Sequence, residues 1–411
     1  MAEIRKANGF IDWLDQRIAI KTLTKVLMTE YWIPKNINFL WAMGVVCLVL
    51  FSMLFVSGLF LLMYYKPDAK LAFDSVNYTI MTEVAYGWLW RNIHAVSASM
   101  VFVIIYIHMF VGIYYGSYKR GREMIWISGM LLFVLFSAEA FSGYMLPWGQ
   151  MSYWAAVVIT NLFGGIPFIG ADVVEWVRGD YSVADATLTR FFMLHVCLIP
   201  ILIIAVIASH FYTLRVPHVN NEEGEHLDFE AEAKKYLEGK KKESKVIPFW
   251  PVFLSKDIFI VFAFLTLFFF LVCFNFDFAL DPINFDPANN LKTPLHIYPE
   301  WYFLWSYEVL RGFFFSSDFG LAMFGLANVI FFALPFLDRS PVIAPAHKRP
   351  AFLVWFIVML VDMIVLTIFG KLPPDMGINK WIGLGASTIF IALFIILPLI
   401  TKNEKVGGSH S

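Results

Sequence analysis

Two stretches decide the fold: RNIHAVSASMVFVIIYIH, residues 91–108, and HVCLIPILIIAVIASH, residues 195–210. Both are almost wholly apolar, yet each carries a histidine near either end: His94 and His108 in the first, His195 and His210 in the second. A helix rises 1.5 Å per residue, so a spacing of 14 separates two side chains by about 21 Å. Fourteen steps return to within about 40° of the starting face, and fifteen to within about 60°. Both histidines of each stretch therefore point the same way at two depths. A single ionisable residue in a membrane span is as readily an interhelical hydrogen bond as a ligand; four on two helices form a pattern.

The rest of the chain supports a membrane setting. Of its 411 residues 59% are hydrophobic and 15% charged, with a mean hydropathy of +0.67. Soluble domains carry about a quarter charged residues. A span needs about 20 apolar residues, and eight stretches qualify, near 38–65, 90–116, 124–147, 187–214, 253–277, 320–337, 350–370 and 381–401. We label them A to H. The predicted class is all-α integral membrane, with a four-helix bundle A–D followed by helices E–H. The chain divides into an amphipathic surface segment (1–37), the bundle (38–215), a charged linker (216–250) and a C-terminal region (251–411). No leader peptide is expected at the N-terminus. Cys47, Cys197 and Cys273 sit in apolar runs and read as small core residues. The net charge of −1 excludes a global field for nucleic acid.

Lysine and arginine collect on the cytoplasmic side of membrane proteins. Here they cluster in the N-terminal segment (Arg5, Lys6, Arg17, Lys21, Lys25, Lys35), the B–C turn (Lys119, Arg120, Arg122), six lysines from Lys234 to Lys245, and the F–G loop (Arg339, Lys348, Arg349). Eight spans bring all four to one side. Both termini are thus expected in the cytoplasm, and the long connections 148–186 and 278–319 on the outer side.

Depth pairs His94 with His195 near the outer side and His108 with His210 near the cytoplasmic side. Two imidazoles facing each other across a bundle suit the axial positions of a haem iron. Zinc would require three or four ligands per site, and no Cys or carboxylate is expected at these depths. Bis-histidine ligation leaves no open position on iron, so the expected chemistry is electron transfer through two b haems. Gly44 and Gly58 on A, and Gly129 and Gly143 on C, repeat the spacing of 14. They would let a flat macrocycle approach the backbone. Arg91 and Arg190, near the outer pair, could bind haem propionates or anchor the interface.

With these residues in place the chain resembles cytochrome b of the quinol:cytochrome c oxidoreductases. The likeness rests on RNIH (Arg91–His94) with His108, GYMLPWGQ (Gly143–Gln150), TRFFMLH (Thr189–His195) and PEWY (Pro299–Tyr302). It implies a low-potential haem at His94/His195 and a high-potential haem at His108/His210. It implies a quinol-oxidation pocket outside, a quinone-reduction pocket on the cytoplasmic side, and a proton-translocating Q cycle. A Rieske iron–sulfur protein and a c-type cytochrome are the implied partners, in a homodimeric complex of a bacterial inner membrane. The spacing of 15 between His195 and His210 and the FYTLR that follows His210 are chloroplast-like, although the chain is not split. The likeness places Arg215 near the cytoplasmic-side haem or quinone, and Ser117 and Trp126 at haem contacts. Val111 stands where relatives often carry an arginine.

Quinol oxidation needs an acceptor for each proton beside a low-dielectric pocket. Glu300, set among Pro299, Trp301 and Tyr302, is the expected proton acceptor, with Tyr144 and Pro147 as the facing wall. Without the histidines, PEWY would read as an interfacial aromatic anchor. The resemblance makes Asp257 a proton donor to reduced quinone, with Lys256 nearby. His218, His226, His296, His347 and His410 are expected at the surface. Two other classes were weighed. A transporter predicts inverted repeats and broken helices, and neither is found. A small dihaem anchor subunit leaves helices E–H and PEWY without a purpose.

Overall fold

The computed structural model describes residues 9–119, 121–278, 280–373 and 377–404. Arg5, Lys6, Arg120 and His410 lie outside the described residues. Among the described residues eight helices are long and apolar enough to cross a membrane: A Phe39–Leu62, B Gly87–Tyr114, C Glu123–Met145, D Asp185–Arg215, E Phe249–Phe274, F Ser317–Leu337, G Pro350–Lys371 and H Asn379–Thr401. The chain is a multi-pass membrane protein. In lipid the backbone must satisfy its own hydrogen bonds, and a helix does so within one segment.

Helix A packs along B and C along D, while E lies against A and B. The helix Leu304–Gly312 follows PEWY and packs against F, G and H. One hydrophobic core runs from Val46 on A through Phe102 on B, Phe136 on C and Ile203 on D to Phe268, Phe331, Phe356 and Phe390 on E to H. The two halves therefore share an interior.

Helix D is not uniform. Leu194–Leu198 is a wide π turn between the helices Asp185–Met193 and Ile199–Arg215. Pro200 lacks an amide proton and crowds the carbonyl four residues back, which widens the turn before it. The wide turn absorbs one extra residue, so the spacing of 15 on D matches the 14 on B in depth and direction.

The two long connections lock together. Gly149 bridges Pro287, the Gln150 amide donates to Asp286 O at 2.8 Å, and Ser152 donates to Asn284 Oδ1. PEWY is pinned to helix B. The Trp301 indole donates to Ser99 Oγ at 2.7 Å, Tyr106 OH donates to Tyr302 O at 2.6 Å, and Tyr302 stacks on Phe102 with ring centres 4.0 Å apart.

The opposite face is tied by charge. Buried Asp338 accepts from Arg349, Lys119 and Tyr118, and Arg349 also pairs with Glu404. The B–C turn, the F–G loop and the end of helix H thus meet at one network. Burial pushes the Asp338 carboxyl up, but the Arg349 guanidinium overrides it and holds the group below its usual range.

One element departs from the all-α expectation. Trp32–Pro34 (β1) pairs antiparallel with Val246–Pro248 (β2), Ile33 opposite Ile247. Both read aromatic or β-branched, then Ile, then Pro, which suits a short strand ending at proline. The expected surface helix is also broken: Phe10–Ile18 ends at Ala19 in the left-handed region (φ 50), and a second helix begins at Ile20. Phe10, Ile11, Trp13 and Ile18 remain exposed, as an interfacial segment requires.

Candidate functional site

The four membrane histidines meet as depth predicts. The ring centres of His94 and His195 are 6.1 Å apart, with planes at 81°. Metal–nitrogen bonds of about 2 Å on either side of one iron require ring centres roughly 6 Å apart. His210 likewise lies within electrostatic range of His108.

Three of the imidazoles are held by Nδ1. Ser57 gives its proton to Met53 O at 2.6 Å, so its oxygen accepts the His94 Nδ1–H at 3.0 Å. Ser128 gives its proton to Met124 O at 2.7 Å and accepts from His210 Nδ1–H at 2.9 Å. His195 Nδ1–H lies 3.1 Å from the backbone oxygen of Glu139 and 3.1 Å from its carboxylate Oε1. With the proton fixed on Nδ1, the Nε2 lone pair is free for a metal, the arrangement usual for ligating histidines. The four donors thus fit haem iron.

The four glycines lie against the four imidazoles. A Cβ on Gly58 would sit 3.3 Å from His94 Cε1, on Gly129 3.3 Å from His210 Cε1, and on Gly44 3.4 Å from His108 Cε1. On Gly143 it would come within 2.9 Å of His195 Nδ1. Each glycine makes room for an imidazole edge. The hydroxyls that hold the rings were legible as Ser-Gly at 57–58 and 128–129, but went unread.

The absence of a carboxylate at these depths is overturned. Glu139 lies one helical turn before Gly143, on the same face, and reaches His195. Its Oε2 is buried without a partner. Among the described residues, no cluster of three or more His, Cys, Asp or Glu side chains is arranged to hold a metal ion.

A cavity of about 260 Å³ joins His94 and His195 to the PEWY loop. His94, His195, Glu139, Gly58 and Gly143 line it together with Arg91, Tyr144, Pro147, Asn284, Glu300 and Tyr302. The Tyr144 hydroxyl interacts with the Glu300 carboxyl. Burial, and then the charge of Asp281, raise the Glu300 pKa to about 7, against the Tyr144 hydrogen bond and the charge of Lys371. Asp281 accepts from Tyr298 OH at 2.6 Å, and His296 beyond it bonds Lys371 O. Arg91 is buried, with Nη1 lacking a partner, an orphaned donor that suits an anionic propionate. Arg190 does not line this cavity; its guanidinium donates to Trp176 O. Pro299 and Trp301 frame the loop without lining the cavity.

Around His218 a second group forms. Arg215 stands 3.8 Å above the Tyr31 ring and 5.3 Å from Phe249. His218 is stacked between Tyr31 and Phe229, at 5.3 and 4.1 Å, so it is not the free surface residue expected. Tyr31 OH, His218 Nδ1 and Arg215 Nη1 are all buried without a hydrogen-bond partner. Burial first, then the charges of Arg122 and Arg215, hold the His218 imidazole below its usual pKa. Tyr31 arrives here because β1 pairs with β2, a long-range contact that local sequence does not signal. Asp257 is buried in the first turn of the α-helix Leu254–Phe274, the main part of E, and Lys256 is exposed. The Trp126 indole donates to Phe331 O at 2.6 Å, which commits it to the core, and Ser117 is half-buried where B ends. Of the other histidines, His226 is exposed, and exposed His347 bonds Tyr114 OH at 3.0 Å.

Comparison with known proteins follows this geometry. A family model described as cytochrome b/b6/petB matches residues 28–217, and one described as cytochrome b(C-terminal)/b6/petD matches residues 287–391. The chain is 41% identical to a cytochrome b of Rhodospirillum rubrum over 97% of its own length and 94% of the relative's. It is 41% identical to one of Rhodobacter capsulatus, covering 97% and 92%. A chain of a solved "Hyperthermophilic respiratory Complex III" superposes with a TM-score of 0.87 at 40% identity, covering 95% of this chain and 98% of that one.

Proposed function

Because the chain belongs to the cytochrome b family and is the electron-transferring cytochrome b of a Complex III-type quinol:cytochrome c oxidoreductase, we propose that it oxidises quinol beside Glu300 and reduces quinone near His218 and Arg215. In this reading residues 38–215 hold two bis-histidine b haems, and residues 251–411 close the bundle and supply PEWY. Haem, when bound, supplies one-electron transfer between the two depths. The chain's own residues do the rest. His94 and His195, fixed by Ser57 and Glu139, hold one iron; His108 and His210 hold the other. Arg91 neutralises propionate charge.

At the outer site a quinol hydroxyl lies in an apolar cavity between Pro147, Tyr144 and Tyr302. Glu300, near neutrality in its pKa, is poised to accept a proton in the physiological range. The Tyr144 hydroxyl orients that carboxyl. Asp281, with Tyr298 and then His296, offers the proton a way outward. The interlocked connections 148–186 and 278–319 exclude bulk water, which keeps the pocket's dielectric low. At the other end Arg215 and Tyr31 present donors to a quinone carbonyl, and Asp257 is the proton source.

The reading extends to assembly. A Rieske iron–sulfur protein would take one electron of each quinol and pass it to a c-type cytochrome, in a dimeric complex of a bacterial inner membrane. Both termini would be cytoplasmic, and outward release of the quinol's protons would complete a Q cycle. The observation that carries the reading is the imidazole pair 6.1 Å apart opening into the cavity that holds Glu300 and Tyr144. Its test is His94→Leu in the assembled complex. A reduced-minus-oxidised spectrum should lose one of two b-type haems, and quinol oxidation should stop. Retention of both haems overturns the ligand assignment.

A further inference from the structure

We propose that Glu139 is a positioning residue that sets the reduction potential of the outer haem through His195; the proposal rests on the ligand assignment above. The case comes from comparing the histidines with one another. His94 and His210 give their Nδ1 protons to uncharged acceptors, the hydroxyls of Ser57 and Ser128 and the carbonyls of Leu54 and Ile125. His195 gives its proton to a carbonyl and to a carboxylate oxygen on the same residue, both at 3.1 Å. Ser142, which precedes Gly143 as Ser57 precedes Gly58, does not take the serine role. Its hydroxyl donates instead to Glu139 O at 2.9 Å, which fixes the turn that carries the carboxylate.

A carboxylate on Nδ1–H pulls the proton away from the ring and raises electron density at Nε2. A more basic Nε2 stabilises the more positive, oxidised iron over the reduced one. The contact is also held firmly. Glu139 lines the same cavity as both outer histidines, and its Oε2 is buried without a partner. Among the described residues no lysine or arginine forms an ion pair with it, and Arg91, which lines the same cavity, has an unpaired Nη1. The imidazole N–H is therefore the side-chain partner of this acid. The wide π turn at Leu194–Leu198 places His195 for this contact. The consequence is asymmetry: of the three histidines held at Nδ1, His195 leans on an acid, whereas His94 and His210 lean on serines. That widens the potential step from the outer centre to the inner one and steers the electron inward.

The experiment uses the purified complex with both haems bound. Glu139→Gln keeps the shape and a carbonyl acceptor but removes the acid. Redox titration followed at the b-haem absorbance should then show the outer centre easier to reduce. Its reduced-to-oxidised ratio at a fixed ambient potential should rise about tenfold, which is about 59 mV for a one-electron couple. The inner centre should stay where it was. Glu139→Asp, which restores the acid, should return the outer centre toward the wild-type value. An unchanged midpoint in Glu139→Gln, with both haems present, overturns the proposal. So does an equal shift in the Asp and Gln variants, which marks a packing effect. Should Gln lose haem, restoration by Asp supports the proposal, and equal loss in both overturns it. A wild-type complex lacking two b-type centres instead defeats the ligand assignment itself.

Discussion

The two ends of the bundle are built from the same histidine pattern and differ in what surrounds it. At the PEWY end the imidazoles share a cavity with two half-buried acids, Glu139 and Glu300, and one arginine. Near the end of D the unpartnered groups are donors or neutral: Arg215, Tyr31 and His218. The closure differs as well. The PEWY end is sealed by two outer connections hydrogen-bonded to each other, whereas the other is formed by a two-strand pairing and aromatic stacking. A pocket rich in acids can take protons from a substrate; one rich in donors can bind a substrate's oxygens and return protons to it. In the proposed reading the contrast teaches that one repeated histidine motif would serve opposite half-reactions through its neighbours.

The contrast should break most sharply at Glu300. Glu300→Gln keeps the hydrogen bond to Tyr144 possible but removes the proton acceptor. Quinol oxidation should fall by about 10²-fold or more, the contribution typical of a positioned base, with both haem spectra intact. The pH dependence gives the sign. The carboxyl must be ionised to accept a proton, and its pKa is held near 7. Wild-type activity should therefore drop as pH falls through about 7, and the Gln variant should lose that limb. A variant with unchanged rate and unchanged profile would put the proton acceptor elsewhere.

Arg215 is the corresponding lever at the other end. Arg215→Leu removes a charged donor, an interaction worth about 1.5–3 kcal/mol, so reoxidation of the inner haem should slow by about 10- to 100-fold. The measurement is flash- or mixing-induced haem reduction: the inner haem should fill at its normal rate and empty slowly. If filling slows instead, Arg215 belongs to the haem and the quinone is bound elsewhere.

What was legible in the residues follows from range. His94, His108, His195 and His210 stood out because an ionisable side chain in lipid needs a reason and their spacing maps directly onto depth. Glu300 and Tyr144 were legible in two separate motifs, and the structure brings both to the same cavity. Glu139 stands four residues before Gly143 on the same helix face, but a lone acid with no partner at helical spacing on its own helix gives no local sign of the imidazole it meets on D. His218 could not be read locally. Its neighbour Tyr31 is brought in by strands that pair Ile33 with Ile247, and both strands are three residues long, too short for a periodic signal. Arg190 shows the reverse: it is close to His195 in sequence, yet it turns to Trp176 O, because five residues of helix carry it to a different face and depth.

The finest comparison uses one substitution at two depths on helix C. Gly129→Ala would bring a methyl to 3.3 Å from His210 Cε1, a contact that a small tilt of the ring relieves. Gly143→Ala would bring the methyl to 2.9 Å and 3.0 Å from the two nitrogens of His195, closer than such atoms sit in proteins, so the ring must move. Movement there is constrained, because Nδ1 is held by Glu139 and the ring lies in the wide turn before Pro200. Overpacking a fitted site costs about 1–3 kcal/mol. The Gly143 variant should show weakened outer haem retention and a broadened spectrum, and the Gly129 variant near-normal haem content with a slight shift of the inner band. Haem content measured on both variants decides it. Equal retention would mean the imidazoles pack against these glycines with the same slack at both depths, and the tighter hold inferred at the PEWY end would lose its steric half while the Glu139 contact remained.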